Sequence, residues 1–317
     1  MNMNKPIFKD IEEAHRRISE FIHRTPVLTC KSLDTIVGAN LYFKCENFQK
    51  VGAFKFRGAT NAVQLLTDEE MSKGVVTHSS GNHAQALALA AKMRKIKAYI
   101  IMPSNAPKSK VEAVKGYGGN VIFCEPTLVA RETTTQKVID ETGAKLIHPY
   151  DNFNIIAGQG TAAKELIEDV GFMDIIMAPV GGGGLLSGTS ISAKELLPHA
   201  KVIAAEPKNA DDAFQSFYSK SFIPSVNPNT IADGLKTSLS DLTFSIILEK
   251  VDEILPVKED TIAEAMKLIW QRMKIIIEPS SAVPLAAIME NPEVFANKKV
   301  GIILSGGNLD FDNLPFN

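Results

Sequence analysis

The 317-residue chain has no apolar run long enough to cross a bilayer; its longest apolar stretches are the size of strands. It has no excess of either charge. Lysine and arginine number 34 against 36 acidic residues, for a net charge of -2, so nothing biases the surface toward nucleic acid or an acidic membrane. Neither kind of partner is expected. Cysteine is scarce: Cys30, Cys45 and Cys124 are an odd count without metal-ligand spacing. They suggest no disulfide framework and suit a reducing cytosol. The stretch from Met1 to Pro6 lacks the apolar core of a secretory signal. Low-complexity tracts and internal repeats are also missing. What remains is an ordinary globular composition, 45% hydrophobic and 22% charged, long enough for one large or two ordinary domains.

The pattern alternates strand and helix. Short apolar runs recur at 74–78, 98–102, 121–124 and 146–148, separated by helical segments at 83–94, 108–116 and 127–142. Strands spaced by helices imply right-handed crossovers and a parallel sheet covered on both faces, here a four-stranded lobe. The second half repeats the style. A helix at 156–169 precedes a strand at 174–180, then a helix at 185–197 and a strand at 201–205. Residues 219–235, rich in Ser, Pro and Asn, predict a loop; helices at 259–274 and 280–290 precede a last strand at 300–304. An N-terminal helix is predicted over 10–22, with Ile11, Ala14, Ile18, Phe21 and Ile22 on one stripe.

Lys55 is unusually placed. It lies in Gly52-Ala53-Phe54-Lys55-Phe56-Arg57-Gly58, between two aromatics and just before a helix start. An amine shielded by apolar groups has its charged form disfavoured and becomes a usable nucleophile or base. The plainer alternative is a lysine snorkelling from a helix approach.

In open α/β sheets, ligands bind beyond the carboxyl ends of strands, and three such ends here are glycine-rich. After the strand at 174–180 comes Gly181-Gly182-Gly183-Gly184-Leu185-Leu186-Ser187-Gly188. Convergent backbone N–H groups and a helix N-terminus suit a phosphate there; a tight turn with close packing is the alternative. The Gly-Lys-Ser/Thr ending of a nucleotide-hydrolysing loop is absent. A dinucleotide site is a stronger rival, since Glu206 ends the next strand where a ribose-binding acid would sit, yet no Gly-x-Gly-x-x-Gly fits. The second end, His78-Ser79-Ser80-Gly81-Asn82-His83, suits a carboxylate and a polar ring substituent, or simply caps a helix. The third is Leu304-Ser305-Gly306-Gly307-Asn308.

Taken along the chain, the Lys55 motif, the Ser-Ser-Gly-Asn-His loop, the tetraglycine turn and the terminal Ser-Gly-Gly-Asn, in that order, resemble the fold-type II pyridoxal-phosphate enzymes: serine racemase, threonine/serine dehydratase and hydroxyaspartate ammonia-lyase. Thr25-Pro26-Val27-Leu28, Lys44-Cys45-Glu46-Asn47-Phe48-Gln49, Ala157-Gly158-Gln159-Gly160-Thr161 and Ile231-Ala232-Asp233-Gly234 fit as well. The likeness runs from about residue 8 to 310 and is closest to the serine racemase branch. It implies a two-lobed α/β fold like the tryptophan synthase β subunit, each lobe a mostly parallel sheet flanked by helices. Residues 1–73 and 152–317 would form the large, cofactor-binding lobe and 74–151 a small mobile one.

The resemblance also implies roles. Lys55 would form the Schiff base with pyridoxal 5′-phosphate, beside Phe54. Asn82 would meet the ring hydroxyl, Gly181–Gly184 with Leu185 the phosphate, and Ser305 the pyridine nitrogen. Ser79, Ser80, Gly81, Asn82 and His83 would take the substrate carboxylate, with Ser80 opposite Lys55 as the second proton carrier. Arg131 would approach a second substrate carboxylate. Glu206, the Ala210 carbonyl and Asp212 would hold Mg²⁺ or Ca²⁺. The implied activity is elimination of water and ammonia from L-serine or L-threonine, with serine racemisation, in a cytoplasmic homodimer. Ammonia loss from 3-hydroxyaspartate is one alternative, and a non-catalytic phosphate-ligand or dinucleotide binder another.

Overall fold

The computed structural model describes residues 4–316; Met1–Met3, part of the stretch read above for a secretory signal, lie outside the described residues. Strands β1 (Val27–Leu28) and β2 (Asn40–Cys45) come first. A block of four follows: β3 (Val75–His78), β4 (Ala98–Pro103), β5 (Asn120–Cys124) and β6 (Lys145–Leu146). Then come β7 (Ile175–Pro179), β8 (Lys201–Pro207), β9 (Glu253–Val257) and β10 (Lys299–Leu304). The block forms a four-stranded parallel sheet in the order β5-β4-β3-β6, and the rest form a six-stranded sheet in the order β1-β2-β10-β7-β8-β9. Only β1 runs antiparallel, against β2. The α/β class with parallel sheets between helices therefore holds.

Burial on both faces explains why the central strands read as apolar runs. In β7, Ile175 and Met177 enter one core and Ile176 and Ala178 the other, with period two. Helices Glu259–Met273 and Pro279–Glu290 cover the first side; Phe153–Val170 and Gly184–Leu196 cover the second. The helix Lys55–Gln64 is shared. Phe56, Ala59 and Val63 pack with Val75, Leu87 and Ile100 of the small sheet's core. Its other side meets the helix Phe153–Val170 so closely that a Cβ on Gly158 would stand 2.6 Å from the Gly58 Cα.

Beneath that crossing lies a closed set of buried charges. Arg57 is fully buried and grips two carboxylates: Nε and Nη2 donate to Glu46 at 2.7 and 2.8 Å, and Nη1 and Nη2 to Glu165 at 2.8 and 2.7 Å. Lys44, also fully buried, reaches Glu165 at 2.7 Å. Two cations thus face two anions. Burial opposes ionisation of Glu165, but hydrogen bonds from His15 and Arg57 and the charges of Arg57 and Lys44 hold its carboxyl well below the usual range.

Several elements depart from the expected pattern. The first helix is Phe8–Ile18, and the N–H groups of Phe21 and Ile22 turn back to the Ile18 carbonyl, so Phe21 leaves the stripe. The expected strand 146–148 is only Lys145–Leu146. Strands β1, β2 and β9 and helices such as Asp212–Ser219 and Asp241–Lys250 were not foreseen. Among the described residues no helix is long and apolar enough to cross a membrane.

Removing one partner of a buried, bidentate pair strands the others without compensation. Arg57→Met is expected to cost about 3–5 kcal/mol of unfolding free energy. Urea denaturation measures it, and a loss under about 1 kcal/mol would show that the cluster does not hold the helix crossing.

Candidate active site

The carboxyl ends of β3, β7 and β10 and the entry to the Lys55 helix open onto one cavity of about 540 Å³. It is lined by Phe54, Lys55, Ser79–His83, Arg131, Gly181–Leu185 and Ser305, among others. Every residue expected at the cofactor and substrate positions therefore borders the same space.

Lys55 is the first residue of its helix, and the chain entering it is pinned to the end of β10. Phe54 N–H donates to the Ser305 carbonyl at 3.0 Å, Ala53 bridges Gly306, and Gly307 N–H donates to Gly52 at 2.9 Å. Val51, just upstream, sits at φ 56°, a costly conformation for a β-branched residue, and Asn308 Nδ2 holds its carbonyl at 2.7 Å. This lacing fixes Lys55 relative to Ser305. The Lys55 amine lies 5.1 Å from the Phe54 ring centroid and donates to the Pro149 carbonyl at 2.8 Å. Lys55 is half-buried and lines the cavity, and burial lowers its pKa to about 8 although Glu278 opposes the shift.

Glu278 lines the cavity and is 3% exposed. Burial, with Asp233 adding repulsion, pushes its carboxyl up to about 7. Asn82 Nδ2 donates to both its oxygens at 2.9 and 3.1 Å, while Asn82 Oδ1 accepts from Asn308 Nδ2 at 2.9 Å. The Asn82 amide is thus held in a fixed pose between Glu278 and Asn308. Sequence patterning did not single out Glu278; the available signal was one acid ending the apolar run Ile275-Ile276-Ile277 before Pro279.

The tetraglycine turn follows β7 and opens the helix Gly184–Leu196. Gly183 adopts φ 83°, which a glycine permits freely. Gly182 is needed for space, since a Cβ there would meet the Tyr150 ring at 2.3 Å. The N–H groups of Gly181, Gly182 and Gly183 donate to no acceptor among the described residues. Three unpaired donors at a helix N-terminus fit a phosphate. Ser305 is 2% exposed and its hydroxyl contacts the Ser281 hydroxyl at 3.1 Å.

In the Ser79–His83 loop, His83 is turned inward. Its Nε2 meets the Ile147 carbonyl at 3.0 Å, and burial lowers its pKa to about 3, so its ring is neutral. Arg131, on the helix Leu128–Thr142, borders the cavity, and its Nε has no hydrogen-bond partner among the described residues. Lys110 and Asp233, both in the cavity lining, form an ion pair that joins the helix Lys108–Gly116 to the Asp233–Leu235 turn.

A second cavity, of about 210 Å³, is lined by Ala210 and Asp212. Glu206 is fully buried and accepts N–H bonds from Ala213 and Phe214 at 3.0 and 2.7 Å. Burial and the neighbouring Asp212 push its carboxyl well above the ordinary value. Neither Asp212 oxygen has a well-formed hydrogen bond, and burial raises its pKa to about 6 despite the Ser225 hydroxyl. No group of three or more His, Cys, Asp or Glu side chains suited to a metal exists among the described residues. Both Glu206 oxygens already accept N–H bonds, so Asp212 is the under-satisfied acid here, and it is the one that an all-oxygen site for a hard divalent cation would use.

Residues 18–306 match the family described as pyridoxal-phosphate dependent enzyme. The chain is 56% identical over 311 residues to a serine racemase of Dictyostelium discoideum, covering 96% of each. It is 51% identical over 312 residues to a beta-hydroxyaspartate dehydratase of Paracoccus denitrificans, covering 98% of this chain and 99% of that protein. The structure of maize serine racemase superposes with a TM-score of 0.95 at 48% identity, covering 98% of this chain and 95% of that one. Motif order, cavity lining and whole-length similarity agree, and the chain belongs to the pyridoxal-phosphate-dependent enzymes of fold type II.

Proposed function

We propose that this chain eliminates water from small β-hydroxy amino acids, L-serine or L-threonine, giving keto acid and ammonia, and also racemises serine. The observation that supports it most is the Lys55 amine, with its pKa of about 8, facing the same cavity as Ser80 and the open tetraglycine donors. When bound, pyridoxal phosphate supplies an aldehyde for an amine and an electron-withdrawing ring for the substrate. Gly181–Gly184 and Leu185 would hold its phosphate, Phe54 would pack beside it, and Asn82 and Ser305 would set its ring. Ser305 offers a hydroxyl and not a carboxylate, so it does not keep a ring nitrogen protonated. That weakens the electron sink and favours prompt loss of a β-hydroxyl or return of the α-proton.

Ser79, Ser80, Gly81, Asn82 and His83 bind the substrate carboxylate through the loop at the start of the helix Asn82–Met93. Lys55 Nζ and Ser80 Oγ carry the α-proton on opposite faces, which gives inversion. The unpaired Arg131 Nε favours a second substrate class, 3-hydroxyaspartate, whose distal carboxylate an arginine binds well. The segment 74–151 acts as a small lobe closing over the large one, 1–73 and 152–317, and the Lys110–Asp233 pair supports this. Mg²⁺ or Ca²⁺ held by Glu206, Asp212 and the Ala210 carbonyl neutralises two buried carboxylates and anchors the helix Asp212–Ser219. Homodimer assembly is supported by Phe48 and Ile276, which are exposed on one face where Asn47 bonds the Ile276 carbonyl. The three free cysteines support a cytoplasmic location.

Keto-acid release from L-serine, D-serine, L-threonine and the 3-hydroxyaspartate isomers tests the reaction. Release from at least one L-β-hydroxy substrate is expected, and Ser80→Ala should reduce racemisation by about 100-fold, more than L-elimination. No keto acid from any of them would contradict the reading. For the cation, magnesium should raise the Tm of the wild type by about 2–4 °C and leave Asp212→Asn unmoved. An equal response in both would remove Asp212 from the site.

A further inference from the structure

The link between β6 and the helix Phe153–Val170 is a turn that touches both halves of the cofactor site. Pro149 presents its carbonyl to the Lys55 amine at 2.8 Å. The next residue, Tyr150, lays its ring where a Cβ on Gly182 would stand 2.3 Å away and its Cβ 3.0 Å from one on Gly184. One short segment therefore contacts the reacting amine and backs the phosphate cradle at once. The turn is held from within by His148. Its Nδ1 accepts the N–H of Asp151 at 2.9 Å and, less closely, that of Tyr150 at 3.4 Å. An Nδ1 that accepts from backbone carries no proton, so the ring is neutral with its hydrogen on Nε2.

The ring is also packed edge-on. Its centroid lies 4.6 Å from Tyr150 and 5.6 Å from His78, both in T-shaped contact. Burial, with His78 and Lys55 nearby and Asp151 opposing, lowers its pKa to about 4. Glu132 and Arg131 face the adjoining His78 with opposite effects. The lone pair on Nδ1 is thus available throughout the neutral range.

We propose that His148 is a positioning residue: its Nδ1 lone pair holds the turn that aims the Pro149 carbonyl at Lys55 and seats Tyr150 against the tetraglycine loop. This rests on the reading of Lys55 as the reacting amine. An ammonium hydrogen-bonded to a carbonyl is favoured over one without it, so the turn supports the charged form of Lys55 against burial. Losing the lone pair loosens both contacts together, which a residue that merely filled space would not do.

Two variants separate the ring from the lone pair. His148→Phe keeps an aromatic in the T-shaped stack but accepts nothing; His148→Asn places an amide oxygen near the position of Nδ1. The first measurement is the pH dependence of Lys55 acylation in the full-length protein freed of cofactor, read by peptide mass mapping. Wild type and His148→Asn should show midpoints near 8, and His148→Phe a lower one. The second is the half-saturating concentration of pyridoxal phosphate, expected to rise about tenfold in His148→Phe and to stay within about twofold of wild type in His148→Asn. An unchanged or raised Lys55 midpoint in His148→Phe would overturn the proposal, as would His148→Asn behaving like His148→Phe. If wild type fails to bind pyridoxal phosphate, the functional reading fails, and the Lys55 titration still decides the role of His148.

Discussion

The crossing of the Lys55 helix over the helix Phe153–Val170 is the constraint on which the rest depends. Gly58 and Gly158 let two backbones approach until a single Cβ would collide, and Arg57 bolts the joint by gripping Glu46 and Glu165. A buried ion pair is not in itself a source of stability, because desolvating the charges offsets their attraction. Its value here is directional. Fork geometry on two carboxylates allows one placement of Arg57, two residues along the helix from Lys55.

The site is built by bringing distant segments to that fixed point. The end of β10 laces the entry to the helix, so Ser305 and Lys55 are set together, and Asn308 reaches both Val51 and Asn82. Glu278 and Lys55 illustrate the same electrostatic rule with opposite signs. Burial disfavours charge on each, raising one carboxyl to about 7 and lowering one amine to about 8. Both then lie near neutrality, where a proton moves with little cost.

Much of this was legible in the sequence because it rests on local signals. The tetraglycine turn after an apolar strand and the Ser-Ser-Gly-Asn run each announce a strand end, the aromatic-flanked Lys55 precedes a helix start, and all three border one cavity. The central parallel strands were legible because burial on both faces makes them continuously apolar. The first two strands of the large sheet were not. Strand β1 has two residues, and β2 carries Lys44, fully buried yet polar, because its partner Glu165 lies far along the chain. Glu278 and His148 escaped for the same reason. Their meaning comes from Asn82, Lys55 and Tyr150, which only the fold brings near. The packing of the Lys55 helix onto the small sheet's core was equally hidden, since its apolar pattern does not say which sheet it covers.

The central claim is that the buried amine of Lys55 is the group that bonds the cofactor. Borohydride reduction of the protein saturated with pyridoxal phosphate, followed by peptide mass mapping, tests it directly. The account predicts a pyridoxyl addition on the peptide containing Lys55 and none at the neighbouring Lys44 or Lys50. Addition at another lysine, or none at all on the saturated protein, would contradict it.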